Sequence, residues 1–268
     1  MRGTPARDAL DGAITAITAA GCETPRLDAE LLLAEVLGVS RERLLIDTSL
    51  AVQGPAVRAY QDAVRRRAIE REPVAYIIGR RGFRGLELSV DRRALVPRPE
   101  TELLVEAGLS LPGGARVLDL ATGSGAVALA LKDERPDLAL ARANGERLGL
   151  QVDWLQADLL SGVGDEFEAI LANPPYVAES ERGRLAPEIT RHEPLLALLA
   201  GADGLAVIRP LLEQISSRPT VRLVALEVGA GQAAAVGELL RSAGFARVHC
   251  KIDLAGVERV LIGEREGP

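Results

Sequence analysis

Four consecutive residues, Asn173, Pro174, Pro175 and Tyr176, combine side chains that can hold a planar nitrogen centre in place. An amide or aromatic amine nitrogen is a poor nucleophile because its lone pair is delocalised, and it reacts only when that pair is aimed at an electrophilic carbon. The Asn173 side-chain oxygen and the Pro174 carbonyl are suited to accept the two N–H bonds of a planar NH2, with Tyr176 stacked on its face. The prolines stiffen the backbone and offer no N–H of their own. Such chemistry takes its acceleration from proximity and orientation, about 7–11 kcal/mol at best, and needs no dedicated general base.

A second segment, RVLDLATGSG at 116–125, reads as a strand ending near Asp119 and then a turn of small residues, Ala121, Thr122, Gly123, Ser124 and Gly125. Glycines let backbone approach a ligand at the carboxyl end of a strand, where open α/β sheets bind nucleotides. By itself such a turn also serves in dehydrogenases or as a plain strand-to-helix connection. The sequence has no GxGxxG and no lysine in a phosphate-cradling loop, which disfavours a dinucleotide or ATP. The Asn-Pro-Pro-Tyr tetrad follows its own apolar stretch, residues 168–172, so both motifs are expected at one sheet edge. Together they point to methyl transfer from a sulfonium cofactor to a planar nitrogen.

The elements that must position these motifs are legible in the periodicity. Leu10, Ala13, Ile14 and Ile17 recur at helical spacing. A second helix opens with Thr24 as candidate N-cap and Pro25 in the first turn, and ends at Gly38; a third starts near Pro55. After Gly82 the period becomes two, with Leu86, Leu88 and Val90 alternating with Glu87 and Ser89, half of a hairpin. Strands are then expected at 116–120, 152–155, 168–172, 222–228, 248–252 and 258–262, with helices between the earlier ones. This alternation predicts an α/β fold, a mostly parallel Rossmann-like sheet closed by an antiparallel pair at one edge. The domains expected are 1–80 (helical), 81–97 (hairpin linker) and 98–268 (α/β).

Composition excludes several other classes. A chain of 268 residues with 47% hydrophobic content can bury a sizeable core. No apolar run approaches a bilayer span and the N-terminus has no signal-peptide core, so a cytoplasmic location is expected. Cys22 and Cys250 suggest neither a disulfide framework nor a metal cluster, and no metal is implied. A net charge of −6 argues against a broad nucleic-acid surface. Arg65, Arg66, Arg67, Arg80, Arg81 and Arg84 leave open a local basic face for an acidic partner or RNA, or a solvated helix face.

With these residues in hand, the chain resembles the HemK/PrmC family of peptide-chain release factor N5-glutamine methyltransferases over nearly its whole length. The segments that carry the likeness are DAELLLAEVLG at 28–38, REPVAYIIGRRGFRGLELSV at 71–90, LVPRPETELLVE at 95–106, LDLATGSGAVALAL at 118–131, NPPY at 173–176 and LEVGAGQ at 226–232. GADGL at 201–205 and DLAGVERV at 253–260 also match. The resemblance implies S-adenosyl-L-methionine as cofactor, contacted by Asp119, Ala121, Thr122, Gly123, Ser124, Gly125 and Asn173, with Asp158 near the adenine and Leu159 packing on it. It implies that Asn173, Pro174, Pro175 and Tyr176 hold the substrate glutamine and that Phe83, Arg98, Glu100 and Thr101 border its pocket. The implied partners are class 1 release factors, whose Gly-Gly-Gln loop enters the site while the N-terminal helices help to dock them. A non-catalytic release-factor binder and an adenine N6-methyltransferase are the alternatives left by the residues alone.

The likeness has one gap. A second parallel strand ending in an acidic residue for the ribose hydroxyls is expected about 20 positions beyond the glycine turn. Here KDERPDLAL at 132–140 runs directly into ARANGERLGL, so this strand reads as deleted, with Glu146 a weak substitute in a helical context. Ala121 stands where the family usually has glycine, and its methyl crowds the turn only if φ there is positive.

Overall fold

The computed structural model describes residues 3–137, 150, 152–153, 156–164 and 166–266. The chain divides into two units, Met1–Arg80 with Ala186–Glu193, and Arg81–Leu185 with Pro194–Pro268. The grouping of Ala186–Glu193 with the N-terminal unit is a tertiary feature that no local sequence pattern announces.

The first unit is built on helices α1 (Ala6–Ala19), α2 (Pro25–Leu37), α3 (Arg41–Ile46), α4 (Pro55–Arg65) and α5 (Val74–Ile78). A minimal antiparallel pair, β1 (Thr4–Pro5) and β2 (Ala51–Val52), joins the segment before α1 to the one between α3 and α4. Pro25 occupies the first turn of α2, and the Thr24 hydroxyl donates to Asp28 Oδ1 at 2.8 Å. Gly38 closes α2 in the left-handed conformation, with φ 63°. Ile17, Ala29, Leu32, Leu33 and Tyr60 fill the core between α1, α2 and α4.

Most of the arginine run turns inward or onto neighbouring carboxylates. Arg67 is buried, donating from Nε to Asp28 at 2.6 Å and from a terminal nitrogen to Glu188 at 2.8 Å. Glu188, in the short helix Pro187–His192, also takes Arg71; Arg65 pairs with Asp62 and Glu70, Arg66 with Glu72, and Arg80 with Glu35. In the second unit Arg84 is held by Glu134. These pairings suit a solvated, ion-paired helix face and lend no support to an RNA contact by this cluster.

The second unit opens with hairpin strands β3 (Arg80–Phe83) and β4 (Leu86–Ser89). Its main sheet contains β5 (Val117–Leu120), β6 (Ala169–Ala172), β7 (Leu223–Glu227), β8 (Arg247–Ile252) and β9 (Glu258–Glu264), in the order β5-β6-β7-β9-β8. The first three are parallel and β9 pairs antiparallel with both β7 and β8. Every residue of β5, β6 and β7 is buried, as expected of parallel strands covered on both faces. Helices α6 (Glu102–Leu109), α7 (Ala126–Glu134), α8 (Ile208–Ser216) and α9 (Ala233–Ser242) supply the packing layers. Ile170, Val224, Leu226, Leu211, Ile215, Val236 and Phe245 share the large apolar cluster.

Among the described residues β5 ends the sheet. The strand expected at 152–155 is not formed at Val152 or Asp153, and Trp154 and Leu155 lie outside the described residues. The place of the expected second strand, including Glu146, also lies outside them.

Candidate functional site

Strand register brings the two motifs together. Leu120 of β5 pairs with Ala172 of β6, so the chain leaves both strands at the same level, one into the glycine turn and the other into Asn173. A cleft of about 420 Å³ lies there, lined by Arg98, Thr101, Asp119, Ala121, Thr122, Gly123, Ser124, Asn173 and Pro175 among others. A second cleft of about 590 Å³ shares Asp119, Ala121, Thr122 and Pro175 with it and continues to Gln156, Leu159 and Val163. Of the residues expected at the site, Phe83, Glu100, Gly125, Asp158, Pro174 and Tyr176 line neither cleft. Phe83 is buried on β3, Asp158 is exposed, and Glu100 borders a separate groove with Asp253 and Leu254.

The turn is tied down by Asp119. Its Oδ2 accepts the Thr122 hydroxyl at 2.6 Å and the Ala128 N–H, in the first turn of α7, at 3.1 Å. One carboxylate thus fastens strand, turn and helix. Burial pushes the Asp119 pKa up to about 6, with the two hydrogen bonds acting in the opposite direction. Gly123 and Gly125 have φ of 55° and 83°, and Ala121 has φ 59°. The left-handed backbone at Ala121 carries the Cβ that glycine would lack.

Asn173 is half-buried and its Nδ2 donates to Thr101 Oγ1 at 3.2 Å, joining the tetrad to the PRPETE segment. Tyr176 is held at both ends. Its hydroxyl donates to Glu227 Oε1 at 3.2 Å, and its backbone carbonyl accepts from Gln232 Nε2 at 2.9 Å. Gln232 is itself fixed by the Gly229 N–H, which donates to its Oε1 at 2.8 Å. Gly204 fits against the Tyr176 carbonyl with φ 76°, where any Cβ would overlap that oxygen. The chain after the tetrad is pinned by the Val177 N–H to Leu198 O and the Ala200 N–H to Val177 O, both 2.9 Å. Burial raises the Tyr176 pKa, and the neighbouring Glu227 raises it further, so the phenol stays protonated.

Glu227, Gln232 and Gly204 were not assigned to the site by the sequence, although each lies in a segment, LEVGAGQ or GADGL, that the resemblance singled out. Residues Arg93, Leu95 and Val96 also line the cleft, and Leu196 stands at its lip 92% exposed. Nothing in the sequence singles out Leu196, because a leucine in an apolar run reads as core by periodicity alone.

The described residues supply a backbone turn and apolar walls that fit a nucleoside-bearing methyl donor. Where a ribose carboxylate is expected, the chain lies outside them.

Residues 8–79 match the family model described as the PrmC N-terminal domain, and residues 99–194 match that of the methyltransferase small domain. A release factor glutamine methyltransferase of Rhodospirillum rubrum is 40% identical over 96% of this chain and 84% of its own length. One of Deinococcus radiodurans is 38% identical over 97% of this chain and 99% of its own length. A crystal structure titled protein-(glutamine-N5) methyltransferase (release factor-specific), from Alicyclobacillus acidocaldarius, is 30% identical, with TM-score 0.41 over 64% of this chain and 95% of that one. With relatives aligned along almost its entire length and both characteristic domains in order, the chain belongs to the release factor glutamine methyltransferase family.

Proposed function

We propose that this protein transfers the methyl group of S-adenosyl-L-methionine to the side-chain amide nitrogen (N5) of the glutamine in the Gly-Gly-Gln motif of class 1 peptide-chain release factors, and so supports translation termination. The observation that carries this reading is the sharing of one cleft by Asn173 and the Ala121–Ser124 turn. Family membership supports the choice of a glutamine amide over an adenine, and the catalytic reading over the binder.

When bound, the cofactor supplies an electrophilic methyl carbon on a positively charged sulfur. Ala121, Thr122, Gly123 and Ser124 would hold its amino-acid part, and Leu159, in the adjoining cleft, would pack on the adenine. Asn173 Oδ1 and the Pro174 carbonyl accept the two N–H bonds of the substrate amide, which orients its lone pair along the line of attack. Tyr176 covers the amide plane, its ring fixed by the bonds from its hydroxyl and to its carbonyl. The amide proton leaves to solvent after nitrogen has acquired the methyl group, so no side chain need act as base. Arg98 and Thr101 line the approach to Asn173.

The test is transfer of labelled methyl to purified release factor, with unmethylated RNA and DNA as competing acceptors. Label on the release factor glutamine, lost in Asn173→Ala while S-adenosylhomocysteine binding persists, is the expected result. Label on nucleic acid alone, or undiminished transfer by Asn173→Ala, overturns the reading. No described helix is long and apolar enough to cross a membrane; a cytoplasmic site of action is part of the same proposal.

A further inference from the structure

We propose that Glu227 is the positioning residue that sets the hydrogen-bond polarity of the methyl-acceptor site, fixing Asn173 with its Oδ1 rather than its Nδ2 toward the acceptor nitrogen. This inference rests on the functional reading above and deepens it.

A side-chain amide can sit in either of two orientations related by a half-turn, and shape scarcely distinguishes them. The chemistry does. A substrate NH2 presents two donors, so only the asparagine oxygen can receive it; the flipped amide would set N–H against N–H. Thr101, the partner of Asn173 Nδ2, cannot make this choice alone, because a hydroxyl both donates and accepts. The choice must come from a group that only accepts, placed on the far side of Thr101.

Glu227 is that group. It ends β7, is 1% exposed, and its carboxylate faces the Thr101 and Tyr176 hydroxyls. Its Oε1 receives the Tyr176 O–H at 3.2 Å, while Oε2 is buried with no hydrogen bond. An ionised carboxylate accepts and never donates, so both hydroxyl protons are drawn to it. With its proton turned to Glu227, the Thr101 oxygen is left as acceptor for Asn173 Nδ2, and Asn173 Oδ1 is left for the substrate. The same carboxylate holds the Tyr176 ring. One buried acceptor thus orients both tetrad side chains, and an unsatisfied lone pair is retained to do so.

Protonating Glu227 would make it a donor and release this constraint. Burial raises its pKa, against the Thr101 and Tyr176 hydroxyls and the Arg259 charge that lower it; Glu100 raises it, and Arg98 lies near Tyr176. Activity is therefore expected to fall on the acid side at a pH above the range of an ordinary glutamate.

The deciding variant is Glu227→Gln, which keeps volume but adds a donor. Steady-state transfer to release factor is measured from pH 5 to 8, beside calorimetric titration of S-adenosylhomocysteine. The expected result is kcat lower by roughly 10- to 100-fold, the cost of one misdirected hydrogen bond, with cofactor affinity kept and the acid limb abolished. An unchanged kcat, or a wild-type acid limb in the variant, overturns the inference. If Glu227→Gln does not fold, Thr101→Ser and Thr101→Val decide: serine should retain kcat and valine lose it, and equal effects overturn the proposal. Failure of the unaltered chain to methylate release factor at any pH would instead overturn the functional reading, and this inference with it.

Discussion

Ala121 in the glycine turn and Asp119 in the strand before it illustrate how a single side chain sets a local energy. Ala121 holds φ 59°, a conformation that costs an L-residue about 1–2 kcal/mol. Glycine would relieve it, offset by about 0.5–1 kcal/mol of extra chain entropy. Ala121→Gly should therefore raise stability by about 0.5–1 kcal/mol, or roughly 1–4 °C in Tm, in thermal unfolding. An equal or lower Tm would show that the turn is unstrained. Asp119 behaves in the opposite sense to a surface carboxylate. Its folded pKa of about 6 lies above the unfolded 3.8, so the folded state holds the extra proton between those values. Stability should accordingly fall as pH rises from about 4 to 6, by on the order of 3 kcal/mol. Urea denaturation of Asp119→Asn should lose that slope, and a variant retaining it would exonerate Asp119.

Among the elements, the parallel strands are where sequence and structure agree most closely. Residues 168–172 and 222–228 were readable as strands because runs buried on both faces are continuously apolar. The tetrad was placed at a strand's carboxyl end by the same argument, and β6 ends at Ala172, directly before it. What local pattern did not disclose is how the tetrad is held. The Gln232 bond to Tyr176 and the close fit of Gly204 join segments about 30 to 55 residues apart. Gly204→Ala should push the Tyr176 carbonyl away from Gln232 and place a side chain in left-handed backbone. We expect at least a tenfold loss of kcat, with S-adenosylhomocysteine affinity within about threefold of the unaltered protein, since Gly204 lines neither cleft. An equal loss of both in kinetics and calorimetry would mean general unfolding instead.

For the molecule as a whole, the charge pattern was the feature most easily misread. A cluster of arginines in an acidic protein suggested an outward basic face, yet the structure directs Arg67 inward to Asp28 and Glu188. Arg67→Met should destabilise the chain by about 3–5 kcal/mol, because it strands a buried carboxylate. Adding Asp28→Asn should recover part of that loss in urea unfolding; no recovery would argue that packing, rather than stranded charge, is responsible. The sequence by itself determined the α/β class, the helical N-terminal segment and the two motifs, because periodicity and turn chemistry are local properties of the chain. Tertiary structure alone decided that Ala186–Glu193 groups with the N-terminal unit, that Ala121 is left-handed, and that Glu227 faces Thr101 and Tyr176. These depend on which residues meet across long stretches of chain, and hydrogen-bond partners and backbone strain are set by that meeting rather than by any residue's neighbours in sequence.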